Sequence, residues 1–301
     1  MSGANSLYGS LKSVDGVTCE KEALLSSLTS FRVGGPAAVL AIAEDASGLR
    51  SVLRLVSDAG VRLFVLGAGT NVIFRDEGFD GVVLKLGPGF GRLEREGLKV
   101  RAGAAASLSD VVCFCAGNSL SGLEALAGIP GSLGGAVAGN AGAFGTTVGE
   151  KVDSLTGYDA EGAARSLGSN QMDFGYRRAD FGAALVLTEI LLSLEEGRRE
   201  AMLDRMDEIV RKRKESQPYE LPCAGSIFKN PPEMKAARLI EKAGLKGRTV
   251  GGAEVSAKHA NFIVNKGGAS SDDVLSLIEV VREAVHRKFS VSLELEVKVV
   301  Q

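Results

Sequence analysis

The stretch Gly128-Ile129-Pro130-Gly131-Ser132-Leu133-Gly134-Gly135-Ala136-Val137-Ala138-Gly139-Asn140-Ala141-Gly142-Ala143-Phe144-Gly145 concentrates seven of the chain's 39 glycines. It is too regular for a linker and too poor in side chains for a core, which points to loops packed closely against a flat ligand. A backbone without Cβ can turn its N–H groups outward and approach a phosphate closely. A second glycine turn, Leu66-Gly67-Ala68-Gly69-Thr70-Asn71-Val72, follows a mostly apolar run over 61–66 that reads as a short strand. Strand followed by glycine turn is the order that anion sites often show, and two such turns in one chain suggest a bound diphosphate. The full dinucleotide fingerprint is missing. Val72 stands where its third glycine belongs, and no acidic residue follows at about twenty positions.

The rest of the composition narrows the function classes. The chain has 301 residues, 45% of them hydrophobic, which is enough for about two domains by size. Its 35 basic and 37 acidic side chains give a formal charge of -2 and no net pull toward nucleic acid or an anionic membrane. No run approaches roughly 18 uninterrupted apolar residues, so no membrane span is expected. Two histidines, His259 and His286, and four cysteines without a CxxC pair leave no zinc-ligand spacing, and no metal is expected. Unpaired thiols and the lack of a charged-then-apolar leader suggest a reduced, cytoplasmic location.

Periodicity places the elements. Residues 1–20 read as a loosely ordered lead-in. Leu49, Val52, Leu53 and Val56 predict a helix from Ala46 that stops at Gly60, and Leu108–Ala116 predicts another with Ser107 or Ser109 as its cap. Boundaries are expected near Gly87-Pro88-Gly89 and Glu195-Glu196-Gly197, dividing the chain into 1–87, 88–197 and 198–301. Short strands fill 152–195, with Leu185–Leu187 the clearest. Helices are expected over 199–215, 236–243 and 272–287, the last started by Ser270 or Ser271. Strict alternation predicts a final strand over 292–300, with Leu293, Leu295, Val297 and Val299 on one face and Glu294, Glu296 and Lys298 on the other.

Several polar groups fall in constrained settings. Gly225-Ser226-Ile227-Phe228-Lys229-Asn230-Pro231 puts a hydroxyl, an ammonium and an amide on one turn without forming a GxSxG nucleophile elbow. Tyr176-Arg177-Arg178 and Lys258-His259-Ala260-Asn261 read as surface groups unless an anion lies nearby. On the last strand Glu294 and Glu296 would lie about 6.6–6.8 Å apart on one face, and the pattern does not choose between them.

Taken in order, these segments resemble the UDP-N-acetylenolpyruvoylglucosamine reductase family. The resemblance runs through Thr29-Ser30-Phe31-Arg32-Val33-Gly34-Gly35, the two glycine stretches, Phe174-Gly175-Tyr176-Arg177, Ala224–Pro231, Val255-Ser256-Ala257-Lys258-His259-Ala260-Asn261-Phe262 and Leu293-Glu294-Leu295-Glu296-Val297, and covers about residues 20–300. It implies an α+β chain with two small subdomains holding FAD in the fold of vanillyl-alcohol-oxidase-type flavoproteins. A third α/β domain would bind a UDP-sugar, with the last strand returning to the active site.

The resemblance further implies that Leu66–Val72, Gly128–Ser132, Gly134, Gly135, Ala138, Asn140, Ala141, Gly142 and Arg177 contact FAD. NADPH is the implied co-substrate and UDP-N-acetylglucosamine-enolpyruvate the substrate. The family's catalytic arginine falls on Arg177, its proton-donating serine on Ser226 and its glutamate on Glu296. Tyr176, Lys229, Asn230, Lys258, His259 and Asn261 are expected around the substrate, with Arg211 a weaker candidate for its diphosphate. Arg177 connects to Leu185–Leu187 without an inserted loop, as in the shorter of the family's two types. The chain departs from the family pattern at Ala179, where serine is common, at Gly139, where a larger residue is common, and at Ser290, where glycine is usual. An oxidase on the same flavin fold is the alternative function.

Overall fold

The computed structural model describes residues 3–301, which form two compact units, each assembled from separate stretches of chain. Unit 1 comprises 1–22, 38–68 and 80–211; unit 2 comprises 23–37, 69–79 and 212–301. Among the described residues no helix is long and apolar enough to cross a membrane.

Unit 1 carries two sheets. A four-stranded sheet runs in the order Val17–Leu24, Pro36–Ala43, Phe79–Leu86, Leu63–Val65, and a five-stranded one in the order Ala164–Gly168, Val152–Tyr158, Val186–Ser193, Lys99–Gly103, Leu93–Glu96. Helix α1 (Gly3–Lys12) corrects the expectation of a loose lead-in. Ala4, Leu7, Tyr8 and Leu11 recur at helical spacing, and the buried Leu11 packs with Val39, Ala41 and Leu53. Helix α2 (Ala46–Asp58) buries Leu49, Val52, Leu53 and Val56, and the Asp45 carboxylate accepts from the Gly48 N–H at 2.9 Å to cap it. Helix α3 (Leu108–Gly117) is capped by Ser107.

Helix α4 (Leu133–Ala138) lies inside the glycine stretch. Its Leu133 and Val137 are fully buried, so that stretch contributes to a core after all. Helix α5 (Arg199–Ser216) buries Met202, Met206 and Ile209 against the same core. The glycine-marked points at 87 and 197 both lie within unit 1.

Unit 2 contains α6 (Ala236–Lys242), α7 (Ser271–Phe289) and a three-stranded antiparallel sheet in the order Thr249–Val250, Ala253–Val255, Ile263–Asn265. The α7 stripe Val274, Leu277, Ile278, Val281 and Val285 packs with Phe31, Val33 and Ile73, residues drawn from the unit's two upstream segments. A capping box between Ser270 and Asp273 starts α7, and the Asp76 carboxylate also accepts from the Ser271 N–H at 2.9 Å. Backbone hydrogen bonds from Ser270 and Gly252 hold the Asp273 carboxyl below its ordinary pKa.

The expected final strand is only partly regular. Lys298–Val300 pairs in parallel with Val72–Phe74, while Leu295 makes an isolated bridge to Phe228. Residues 294–297 bond one neighbour and 298–300 another, so no single ladder spans 292–300. Alternation also breaks at the end, where Val300 rather than Val299 is fully buried. Period-two patterning specifies side-chain facing and does not specify one continuous partner.

Ser290 ends α7 in the left-handed region, at φ 56° and ψ 25°, where a glycine would be unstrained. Its hydroxyl has no partner among the described residues. Ser290→Gly should therefore stabilise unit 2 by about 1 kcal/mol and raise its thermal midpoint by roughly 3 °C, read by calorimetry against the wild type. A lower midpoint would contradict the strain.

Candidate functional site

In unit 1 the two glycine stretches meet. Leu63–Val65 pairs in parallel with Val82–Leu84, and the Leu66 N–H donates to the Leu84 carbonyl at 2.8 Å as the chain enters the turn. A Cβ on Gly67 would lie 2.6 Å from the Ser132 Oγ, so only glycine admits this approach. Ser132 caps α4 by accepting from the Gly135 N–H, and the Leu133 and Gly134 N–H groups donate to the Ala106 and Ala104 carbonyls. The amides of Gly67, Ala68, Gly131 and Ser132 find no acceptor among the described residues. Such a set of unpaired N–H groups suits a diphosphate.

One residue at this turn was not singled out from the sequence. Lys85 closes an otherwise apolar run, Val82-Val83-Leu84, and its Nζ donates to the Gly67 carbonyl at 2.8 Å. Burial pushes its pKa below the ordinary lysine value. A lysine closing the apolar run Val82-Val83-Leu84 was the signal available in the sequence.

Arg177 occupies the two-residue loop of a hairpin formed by Asp173–Gly175 and Arg178–Asp180. Its φ of 51° is left-handed, a conformation arginine rarely adopts. The Nη1 donates to the Gly142 carbonyl at 3.0 Å, and the guanidinium carbon lies 5.6 Å from the ring centroid of exposed Tyr176. Asn140 buttresses this loop. It is 4% exposed, its Nδ2 donates to the Gly175 carbonyl at 2.8 Å and its Oδ1 accepts from the Gly149 N–H at 3.0 Å. The sequence reading placed Asn140 against the cofactor; the structure commits its side-chain amide to the arginine hairpin. Of the remaining glycine-stretch residues, Gly128–Gly131 lead into α4, Ala138 is exposed at its end, and Ala141 and Gly142 run into the small hairpin that closes at Phe144.

Unit 2 brings Ser226, Glu296 and Asn71 together. Gly225 has φ 74° and turns the chain into half-buried Ser226, after which Ile227 and Phe228 are buried. The Glu296 N–H donates to the Ile227 carbonyl at 2.8 Å, and the Asn71 Nδ2 donates to the Glu296 carbonyl at 3.1 Å. Thr70 and Val72 flank this contact, and Gly69 sits at φ 68° with the Leu28 carbonyl 2.1 Å from where a Cβ would be. Glu294 points elsewhere. Its side chain is 73% exposed and pairs with Lys229 at 2.5 Å, whereas Glu296 is half-buried.

The residues expected around a substrate fare differently. Asn261 is 3% exposed, and both ends of its amide bond the Phe228 backbone, at 3.0 and 2.8 Å, so it clamps the serine loop. Asn230 accepts from the Ala236 N–H at the start of α6. His259 accepts from the Asn261 N–H through Nδ1, packs edge-on to Phe262, and is pushed below its ordinary pKa by burial, which keeps the ring neutral at pH 7. Lys258 is exposed, 3.7 Å from Glu220. Arg177 and Tyr176 belong to unit 1, and Ser226, Glu296, Lys229, Lys258 and Asn261 to unit 2.

Comparison with known proteins fits both units. Residues 36–168 match the FAD binding domain family, and 217–300 match the C-terminal domain of UDP-N-acetylenolpyruvoylglucosamine reductase. The reductase of Bacillus subtilis is 41% identical over 278 residues, covering 92% of each chain. That of Clostridium novyi is also 41% identical, covering 92% of this chain and 90% of its own. The crystal structure of the Thermus caldophilus enzyme superposes with a TM-score of 0.80 at 36% identity, covering 95% of this chain and 99% of that one. The architecture is thus α+β, an FAD-binding domain followed by a C-terminal domain. With glycine turns, arginine hairpin and serine loop falling inside segments shared over nine-tenths of its length, the chain belongs to the UDP-N-acetylenolpyruvoylglucosamine reductase family.

Proposed function

We propose that this chain uses FAD and NADPH to reduce the enolpyruvyl ether of UDP-N-acetylglucosamine-enolpyruvate to UDP-N-acetylmuramate, a step of peptidoglycan synthesis. The carrying observation is the meeting of the two glycine turns, whose unpaired amides form a donor set suited to the FAD diphosphate, with Lys85 holding the Gly67 carbonyl. The cofactor therefore fits residues 66–68, 128–132 and 134–135, with Ala138, Ala141 and Gly142 further along the same stretch. The finer division at 87 and 197 belongs to the same reading. One sheet draws its strands from 17–86 and the other from 93–193, and unit 2 has a core of its own. Four free cysteines support a cytoplasmic enzyme.

Bound FAD would supply hydride, taken from NADPH, to the methylene carbon of the substrate. The chain's own residues must then manage charge and a proton. Negative charge spreads from the adjacent carbon into the substrate carboxylate, and the planar guanidinium of Arg177 is suited to hold it because it stays charged and donates as a fork. Asn140 keeps that guanidinium's loop in its left-handed turn. Ser226 gives its hydroxyl proton to the adjacent carbon, a step open to so weak an acid only when the carbon is strongly basic and within about 3 Å. Glu296 assists in its protonated form or by orienting a donor, and its backbone link to Ile227 ties it to the serine loop. Lys229 is the cation on the serine loop for the substrate diphosphate, and it must leave Glu294 to serve there. An oxidase on the same fold would have no use for Ser226 as a proton donor.

Anaerobic absorption spectra test the activity directly. The flavin band should bleach with NADPH and return with UDP-N-acetylglucosamine-enolpyruvate; a band that returns only with oxygen would favour the oxidase. In Ser226→Ala, bleaching should proceed at nearly the wild-type rate while recovery with substrate slows by at least about 100-fold. Asn140→Ala should slow recovery about tenfold by loosening the Arg177 loop, with little change in flavin content or bleaching rate, as stopped-flow absorbance would show.

A further inference from the structure

Ser226 makes no hydrogen bond of its own among the described residues, through backbone or hydroxyl. The residues that follow it are held instead. The Ile227 N–H donates to the Asn261 carbonyl at 2.9 Å, and the Ile227 carbonyl accepts from the Glu296 N–H at 2.8 Å. At the next residue the Asn261 side chain takes both backbone groups. Its Oδ1 accepts from the Phe228 N–H at 3.0 Å, and its Nδ2 donates to the Phe228 carbonyl at 2.8 Å. Asn261 therefore holds two consecutive residues, the first of them bonded covalently to Ser226. On the other side of the serine, Gly225 turns at φ 74° with no heavy atom within 4 Å of where its Cβ would lie.

These bonds are closed to water. Ile227, Phe228 and Asn261 are 0%, 1% and 3% exposed. A backbone N–H or C=O left without a partner at such burial is costly, so the amide fixes how 227–228 lie. Among uncharged side chains only a primary amide offers an acceptor and a donor side by side to one residue's N–H and C=O. The Asn261 backbone is tied as well, its N–H donating to His259 Nδ1 at 3.3 Å. An amide with both ends on Phe228 and almost no exposed surface is poorly placed to contact a sugar or a uridine.

We infer that Asn261 is a positioning residue for the proton donor: through Phe228 and Ile227 it sets where the Ser226 hydroxyl stands, and thereby the rate at which the substrate carbon is protonated. The inference rests on the reading of Ser226 as proton donor, and it moves Asn261 from the substrate, where the family resemblance put it, to the serine loop. A hydroxyl gives up its proton only within about 3 Å of the carbon, and a displacement of about 1 Å can cost roughly 100-fold. With no hydrogen bond of its own, Ser226 must follow any shift of the residues after it.

Anaerobic stopped-flow absorbance on the flavin-loaded enzyme separates the two half-reactions. In Asn261→Ala and Asn261→Asp at about pH 8, bleaching by NADPH should stay within about twofold of wild type, while recovery at saturating UDP-N-acetylglucosamine-enolpyruvate slows at least about tenfold. The half-saturating substrate concentration should change by less than about threefold. The Asp variant carries a pH signature. Ionised, it sets a second acceptor against the Phe228 carbonyl; as the neutral acid, which burial favours, it donates an O–H and restores both bonds. Its recovery rate, divided by that of wild type at the same pH, should therefore rise at least about fivefold from roughly pH 8 to 5.5, and the same ratio for Asn261→Ala should stay flat. The division removes the titration of His259, whose charged neighbours are Lys246 and Glu241. In a Ser226→Ala background neither Asn261 variant should slow recovery further by more than about twofold, since the group it positions is gone.

A higher half-saturating concentration with an unchanged saturated rate would overturn the proposal and return Asn261 to the substrate. Equal slowing of bleaching and recovery, or full additional slowing in Ser226→Ala, would overturn it in favour of a general structural role. If Asn261→Ala does not fold, the pH ratio of Asn261→Asp and its combination with Ser226→Ala decide the question. Recovery that survives Ser226→Ala alone would instead remove the serine reading itself.

Discussion

The structure of unit 1 depends on the contact between Gly67 and Ser132. A Cβ at 67 would overlap the Ser132 Oγ, and Ser132 cannot retreat freely because the same oxygen caps α4. Beyond the cap, Leu133 and Gly134 donate to the carbonyls of Ala106 and Ala104, where the chain leaves the strand Lys99–Gly103, and Leu133 and Val137 are fully buried. One missing side chain thus lets a turn from one sheet lie against a helix anchored on the other. Four amides there find no acceptor among the described residues, and a bound acceptor would satisfy them.

Unit 2 meets the opposite problem. Its candidate groups lie on stretches separated by up to 225 residues, and hydrogen bonds from side chains and amides to backbone carbonyls join them. The Ser30 N–H donates to the Gly69 carbonyl and the Ser30 Oγ to the Cys223 carbonyl, while Asn265 bonds the Phe31 carbonyl. Closing such long loops costs chain entropy, although only logarithmically in their length. The burial of Phe31, Val33 and Ile73 with α7 offsets it. The Thr29–Gly35 motif therefore has a structural explanation that needs no ligand.

Much of this was legible in the sequence wherever the pattern is local. The spacing of Leu49, Val52, Leu53 and Val56, the cap at Ser107 and the stripe on α7 each named an element whose bounds differ by a residue or two in the structure. What the pattern left open were positions whose partners lie far away in the chain. Glu294 and Glu296 looked equivalent while 292–300 was read as one strand. They separate once residues 294–297 are bonded to the serine loop, because that pairing leaves Glu294 exposed on Lys229. Asn140 was expected at the cofactor from the family resemblance and Asn261 around the substrate. The Asn140 side chain bonds the Gly175 carbonyl and the Gly149 N–H, 35 and nine residues away, and the Asn261 side chain bonds the Phe228 backbone, 33 away. Lys85 was overlooked for the converse reason, since a lysine near a strand end is ordinarily a solvated surface group.

Backbone strain falls on positions of two kinds. Asn140, Arg177 and Ser290 all have positive φ without being glycine, at a cost on the order of 1 kcal/mol each. At Asn140 the side chain makes two hydrogen bonds that a glycine could not make, and at Arg177 the guanidinium reaches the Gly142 carbonyl because the loop turns left-handed. In both places the strain is coupled to a side chain in use, and the surrounding bonds hold it. At Ser290 no side-chain bond accompanies the same dihedral, so serine there has the cost without the return. Strain alone therefore does not mark a functional residue in this chain; strain joined to a committed side chain ties Arg177 and its buttress Asn140 into one local element of the hairpin.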